Sequence, residues 1–403
     1  GSMIDPTKVA LIHDFLNQAG GAERVVAALH RLFPTAPIYT TIVDWNVLWP
    51  SLRDADIRAS WMQWLPGLKR HFKKYVLLYP FAIESVDLRE YDLVISSSSA
   101  FAKGAVVRPD ALHVCYCHTP MRFAWDFNAY VDREHLGRTV RIALGPVIRF
   151  LRRWDLRTKD RPMVYVANST VVRERIRRLY GRPSELVYPP VELPTPAATT
   201  TLGDYHLVVS RLNGYKRIDL AIDAFNALGW PLVVIGDGPQ RHALEARAGP
   251  RIHFLGRVPD ATVAEYYACC RGLVVPGAED FGIAPLEANL AGRPVIAYRD
   301  GGALDTVVDG HTGIFFEVQT PAALADAVRR CEAVQWNPAE LRHHAERFSE
   351  AVFRDRMLAV IDRALDETRH LASRDSASPC ELQPAALPSV EELGSWVRTI
   401  PRH

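Results

Sequence analysis

From Lys8 onward the chain alternates short apolar runs with stretches whose apolar positions recur every three or four residues. "KVALIHDF" (Lys8–Phe15) predicts a strand, and "GGAERVVAALHRLF" after it a glycine turn and a helix. Further strands are predicted at "DLVISSS" (Asp92–Ser98), "ALHVCYCH" (Ala111–His118) and "MVYVANS" (Met163–Ser169), the last running into the helix "STVVRERIRRLYG". A Pro- and Thr-rich stretch without periodicity, "LPTPAATTTLGD" (Leu193–Asp204), reads as a linker. The alternation then restarts. Strands "YHLVVSRL", "PLVVIGDG", "RIHFLGRV", "GLVVPG", "PVIAYR" and "TGIFFE" are interleaved with helices "RIDLAIDAFNAL", "QRHALEARA", "DATVAEYYACC" and "PLEANLAG". One long helix over Ala339–Leu365 is expected to close the second domain, and the Ser- and Pro-rich end reads as a loosely held tail.

Near-continuous Val/Ile/Leu strands between helices imply parallel sheets covered on both faces. Two such units in tandem make a doubly wound α/β protein of two domains, 1–195 and 196–370, with a tail over 371–403 whose packing against the first domain is left open. Ligands of such sheets lie beyond the carboxyl ends of the strands, which points to the cleft between the domains.

Composition narrows the function little. A net charge of +2 gives no global field that selects nucleic acid, so any basic feature is local. The 6 cysteines (Cys115, Cys117, Cys269, Cys270, Cys331, Cys380) form no Cys-x-x-Cys pair, which suits a reduced cytosolic chain better than a disulfide frame or zinc site. No apolar run approaches the roughly 18–20 residues of a membrane span, and no signal peptide is recognisable. The leading "GSM" reads as a cloning remnant.

The chemistry concentrates at "EDFGIAPLEANLAGRP" (Glu279–Pro294). Pro285 fits the first position of a helix, which puts Glu287 in its first turn and the amides of Phe281, Gly282 and Ile283 just before it. Such a corner suits an anion such as a diphosphate, and a carboxylate suits pairs of sugar hydroxyls. Glu287 alone could instead merely stabilise the helix dipole. That accounts for neither Glu279 nor Gly282. In "VSRLNGYKRID", Arg211 and Lys216 straddle a turn after a strand, placed to grip phosphate oxygens.

These residues, with "IGDGP" at 235–239, "FLGRVPD" at 254–260 and "GGALDTVVDGHTGIFF" at 301–316, resemble the retaining GT-B glycosyltransferases of family four, in order from roughly Lys8 to Leu365. The resemblance implies two doubly wound, Rossmann-like domains facing a central cleft. It also implies that Arg211 and Lys216 hold the donor diphosphate, that Glu287 binds the ribose and that Glu279 lies beside the donor sugar. Gly236 and Asp237 belong to the donor site on the same ground. Asp305 stands where relatives usually carry a glutamate and keeps the charge.

In the first domain Gly20-Gly21 precedes a helix, either as an ordinary tight turn or as a backbone cradle near the transferred sugar. The resemblance favours the cradle and leaves Glu23 as a first-turn helix residue. "YCHTPMRFAWD" resembles mannosyltransferases of bacterial polysaccharide and lipid-linked glycan assembly. His118 is therefore expected to contact the donor sugar, and Arg122, Trp125 and Asp126 the acceptor. Asp260 is either a reader of the guanine N–H groups, with Arg257 and Val258 offering backbone, or the cap of the following helix. GDP-mannose is the preferred donor, largely by resemblance, with a UDP-sugar kept open.

Two basic, aromatic stretches, Trp61–Phe81 and Arg138–Arg161, suit an anionic membrane surface. The expectation is a peripheral enzyme on the inner face of the cell membrane, acting on a lipid-linked saccharide, with phospholipid-linked inositol as a second acceptor and no nucleic-acid partner. "DAD" at 54–56 resembles a metal-binding Asp-x-Asp but lies in the other domain, and no metal or cofactor is expected. The rivals are a nucleotide-sugar epimerase and a non-catalytic, membrane-docked binding protein.

Overall fold

The computed structural model describes residues 4–127, 137–194 and 201–376. The middle of the expected linker, Cys380 and the tail beyond Ser376 lie outside the described residues. The first lobe carries β1 (Val9–His13), β2 (Ile38–Thr40), β3 (Ile57–Ala59), β4 (Leu93–Ser98), β5 (Leu112–Cys117), β6 (Val164–Ala167) and β7 (Ser184–Leu186). They form one sheet in the order β3-β2-β1-β4-β5-β6-β7, parallel throughout. The second lobe carries β8 (His206–Val209), β9 (Leu232–Ile235), β10 (Ile252–Gly256), β11 (Leu273–Val275), β12 (Val295–Tyr298) and β13 (Gly313–Phe316). Its parallel order is β10-β9-β8-β11-β12-β13.

Both orders reverse direction beside the first strand of the lobe, β1 or β8, which opens a crevice at its carboxyl end. The cause is visible in burial. β1, β4 and β5 are buried along their whole length, so each needs helices on both faces and a crossover connection to its parallel neighbour. Reading apolar runs does not reach β2, β3 and β7. Each has only three residues, and Arg58 and Ala59 on β3 are exposed, so no apolar run marks it.

The helix expected over Ala339–Leu365 is two helices, Pro338–Glu346 and Glu350–Ser376. Phe348 turns into an apolar cluster with Val191, Phe281 and Leu286, and the Ser349 hydroxyl accepts from the Val352 amide to start the second helix. The start of that helix packs on the first lobe rather than closing the second. Phe353 meets Tyr116 edge-on, Arg31 pairs with Glu350, and the Val191 amide donates to the Phe348 carbonyl at 2.8 Å. No helix among the described residues is long and apolar enough to cross a membrane, and the five described cysteines are free.

Candidate functional site

Loops at the carboxyl ends of the second sheet bring four sequence-separated pieces together. After β8, Arg211 is exposed, and its guanidinium meets no protein partner among the described residues. Lys216 ends the turn Gly214–Lys216 and forms an ion pair with Glu279, both side chains being largely shielded. Burial works against the Lys216 ammonium, but the Glu279 carboxylate outweighs it and raises the Lys216 pKa. The pair is thus in place before any ligand arrives.

Two glycines let these loops approach. Gly236 has φ +125°, and a Cβ there would run into the Ser210 carbonyl. Gly302 donates its amide to the Glu279 carbonyl at 2.7 Å, and a Cβ on it would overlap the Phe281 backbone. Gly282 lies against the Glu279 carboxylate. Phe281 itself is buried, stacked on Tyr188, so it anchors the loop and leaves only its backbone for a ligand. The helix Ala284–Leu290 begins one residue earlier than expected, with Ile283 at its N-cap and Pro285 in its first turn. Among the described residues the amides of Gly282, Ile283 and Ala284 donate to no protein group.

Glu287 is partly buried in the first turn of that helix. Burial pushes its carboxyl up to about 7, with Arg24 from the first lobe opposing the rise and Asp260 adding to it. Asp260 does not cap the helix Asp260–Cys269. It is the first helical residue, after Pro259, and is exposed. Arg257 is exposed and Val258 half-buried beside it. Asp237 accepts from the Gly238 amide at 2.8 Å and pairs with Arg241, which holds its carboxyl below the usual range.

On the first lobe, neither Gly20 nor Gly21 adopts positive φ, and a Cβ on Gly21 would meet nothing within 4 Å. Neither glycine is thus required by its backbone conformation, and the space above the start of the helix Gly21–Leu32 is open. His118 follows β5 and is buried, with its Nε2 2.8 Å from the Ser97 hydroxyl. Burial lowers its pKa to about 3, so the ring is neutral. The residues expected to touch acceptor are already engaged. Arg122 pairs with Asp280, and the Trp125 indole donates to the Asp155 carboxylate at 2.7 Å. Asp126 is exposed.

Sequence reasoning missed three features. Asp14, ending the first apolar run, is buried and accepts the amides of Ser99, Ala100, Phe101 and Ala102 at 2.6–3.1 Å, which fixes the loop after β4. Asp280, beside Glu279, receives Arg122 and Arg175 from the first lobe and so ties the loop before the helix Ala284–Leu290 to it. Asp305 accepts from the Thr170 amide at 2.9 Å and the Tyr188 hydroxyl at 3.1 Å, which ties it to the first lobe. A polar residue closing an apolar strand is the signal that would have found Asp14.

Comparison with known proteins agrees with this geometry. Residues 19–193 match the model "Glycosyltransferase Family 4", and residues 203–351 match "Glycosyl transferases group 1". A D-rhamnosyltransferase of Pseudomonas aeruginosa is 31% identical over 133 residues, 31% of this chain and 35% of that protein. An alpha-1,3/1,6-mannosyltransferase of Schizosaccharomyces pombe is 25% identical across 76% of this chain and 70% of that protein. A GDP-mannose-dependent alpha-(1-6)-phosphatidylinositol monomannoside mannosyltransferase of Mycobacterium tuberculosis is 30% identical across 48% of this chain and 57% of that protein. Several of these matches span only a third to just over half of the relative's length. Among solved structures, Anabaena HepE in complex with UDP superposes with a TM-score of 0.64 at 18% identity, covering 88% of this chain and 100% of that one.

Proposed function

We propose that this chain, which has the GT-B fold of the group 1 and family 4 glycosyltransferases, moves mannose from GDP-mannose to a hydroxyl of a lipid-linked saccharide with retention of configuration. The observation that carries the reading is the Lys216–Glu279 pair at the ends of β8 and β11, with Arg211 on the same loop as Lys216 and without a side-chain partner among the described residues. Two neighbouring strand ends thus offer two cations to a diphosphate and one carboxylate to the hydroxyls of the sugar attached to it. Mannose as the transferred sugar draws support from the two mannosyltransferases among the relatives, and GDP from the name of the mycobacterial one.

In the proposed reaction the bond between the sugar C1 and the diphosphate oxygen breaks, and a bond from C1 to the acceptor oxygen forms on the same face. The acceptor proton passes to the departing phosphate oxygen, so the products are GDP and the mannoside. Arg211, Lys216 and the free amides of Gly282–Ala284 would stabilise the charge growing on the leaving group. Glu287 would take the ribose hydroxyls, and Asp260 the guanine N–H groups. The donor is proposed to bind without a metal ion.

A peripheral position on the inner face of the cell membrane is part of the same proposal. Phe81 and Phe150 stack at 6.2 Å, which joins the two basic, aromatic stretches into one face. Trp64 in the first stretch is 87% exposed and Ile142 in the second 73%. Exposed apolar groups among arginines and lysines fit an anionic lipid surface. Incubation with GDP-mannose alone tests the enzyme reading: a transferase slowly releases GDP as water replaces the acceptor, and a binding protein releases none.

A further inference from the structure

The first lobe holds a buried acid that this reading leaves unused. Glu23, in the first turn of the helix after Gly20-Gly21, is 1% exposed, and neither carboxylate oxygen hydrogen-bonds to protein. Its Oε2 lies 3.6 Å from Nε2 of His13, the last residue of β1. On the other side of that ring, His13 Nδ1 is 3.0 Å from both the carbonyl and the hydroxyl of Ser97. The Ser97 hydroxyl in turn is 2.8 Å from His118 Nε2. Three side chains on three elements, with His118 just after β5, thus form one buried line from the glycine turn to His118.

The chemistry of the partners decides where the protons sit. A carbonyl can only accept, so His13 Nδ1 carries a hydrogen; Nε2 faces the Glu23 carboxyl at 3.6 Å, a charge contact rather than a hydrogen bond, and a proton there gives the buried acid its counter-charge. His13 is then an imidazolium. Burial disfavours that charge, but Glu23, and Asp14 beside it, outweigh this and raise the His13 pKa. With His13 Nδ1 donating, the Ser97 hydroxyl is left to give its hydrogen to His118 Nε2. The remaining proton of the neutral His118 ring must then be on Nδ1. The groups facing His118 are Ser97, the Tyr116 ring at 5.2 Å, His13 edge-on at 6.5 Å and the charge of Asp280.

We infer that Glu23 is a positioning residue: through His13 and Ser97 it fixes His118 as the Nδ1–H tautomer, with that N–H as the hydrogen-bond donor offered to the transferred sugar. The inference rests on the proposed sugar-transfer site, because it takes His118 to face the sugar. It gives the glycine-helix segment a second task, since the same turn that leaves space over Gly20-Gly21 buries the acid beneath it.

The test uses the full chain labelled with ¹⁵N-histidine. Ring-nitrogen shifts should show His13 protonated on both nitrogens and His118 on Nδ1 alone between about pH 5 and 8. Glu23→Gln should make His13 neutral and mix the His118 tautomers. With GDP-mannose and acceptor it should lower kcat roughly tenfold while donor KM stays within about twofold. Ser97→Ala, which serves if Glu23→Gln fails to fold, should leave His13 charged and still mix the His118 tautomers. A neutral His13 in the unaltered protein, or an unchanged His118 in Glu23→Gln or Ser97→Ala, would overturn the inference. The ring signals need no acceptor. Expected signals in a protein that turns over no nucleotide sugar would discard the transferase reading and keep the relay, whereas an active enzyme with neutral His13 would discard only the relay.

Discussion

The two faces of the cleft are built on opposite plans. On the first lobe the polar groups facing the cleft are buried and, Glu23 apart, hydrogen-bonded: Asp14 holds four amides, and His13, Ser97 and His118 hold one another. On the second lobe Arg211, Arg257 and Asp260 reach solvent, while Lys216 and Glu279 pair with each other. A buried, satisfied network fixes direction, because each group has a single arrangement that leaves no unpaired donor. Exposed charges cost little to keep unpaired, and they can close on a flexible diphosphate. On the proposed function, the contrast would have one lobe orient the reacting sugar while the other captures its nucleotide. Substitutions on the first lobe should therefore disturb folding or turnover, and most of those on the second lobe should disturb affinity.

The largest effect should break that rule in a defined way. Gly236 belongs to the capture lobe, yet Gly236→Ala puts a methyl group into the Ser210 carbonyl at a positive φ. It should destabilise the fold by about 3 kcal/mol or more, read as a fall in denaturant midpoint. Asp14→Asn comes next, because an amide has one acceptor oxygen where the carboxylate used two for its four amides. A loss of about 2–3 kcal/mol is expected in the same assay, with nucleotide binding retained by the protein that stays folded. Lys216→Ala should leave the denaturant midpoint within about 1 kcal/mol and weaken GDP binding roughly 10–100-fold, measured by calorimetry.

The smallest effect is the pH response of Glu287. Its carboxyl, ordinarily near 4.5, is pushed up to about 7 by burial, so the folded protein holds that proton more tightly than the unfolded chain. The stability this supplies is fully present below about 4.5 and is lost as pH rises to about 7. Glu287→Gln should flatten the pH dependence of unfolding in that window, and GDP affinity should gain less from raising the pH through it. An unchanged pH profile in the variant would remove Glu287 from the capture site.

Much of this was legible in the residues. Near-continuous Val/Ile/Leu runs marked β1, β4, β5 and the strands of the second sheet, because strands buried on both faces have no polar alternation to hide them. Arg211, Lys216, Glu279 and Glu287 could be read because each directly follows such a run or a helix-start proline. β2, β3 and β7 could not, being short and partly exposed. Nor could the commitments of Arg122 to Asp280, Trp125 to Asp155 and Asp305 to Thr170, since these join residues 30 to 158 positions apart along the chain. Spacing reveals what a loop can offer, but a partner from another element decides whether it is already taken. Glu23 is the sharpest case: its first-turn position looked sufficient, and only the packing of β1 against the helix exposed its neighbour His13.

The central claim is that the second lobe captures a guanosine diphosphate. Parallel calorimetric titrations of the full chain with GDP, UDP and ADP test it most directly. The account predicts saturable binding of GDP at one site, at least about tenfold tighter than UDP or ADP. Absence of heat with all three nucleotides would contradict the claim outright, and preferential binding of UDP or ADP would overturn the choice of donor.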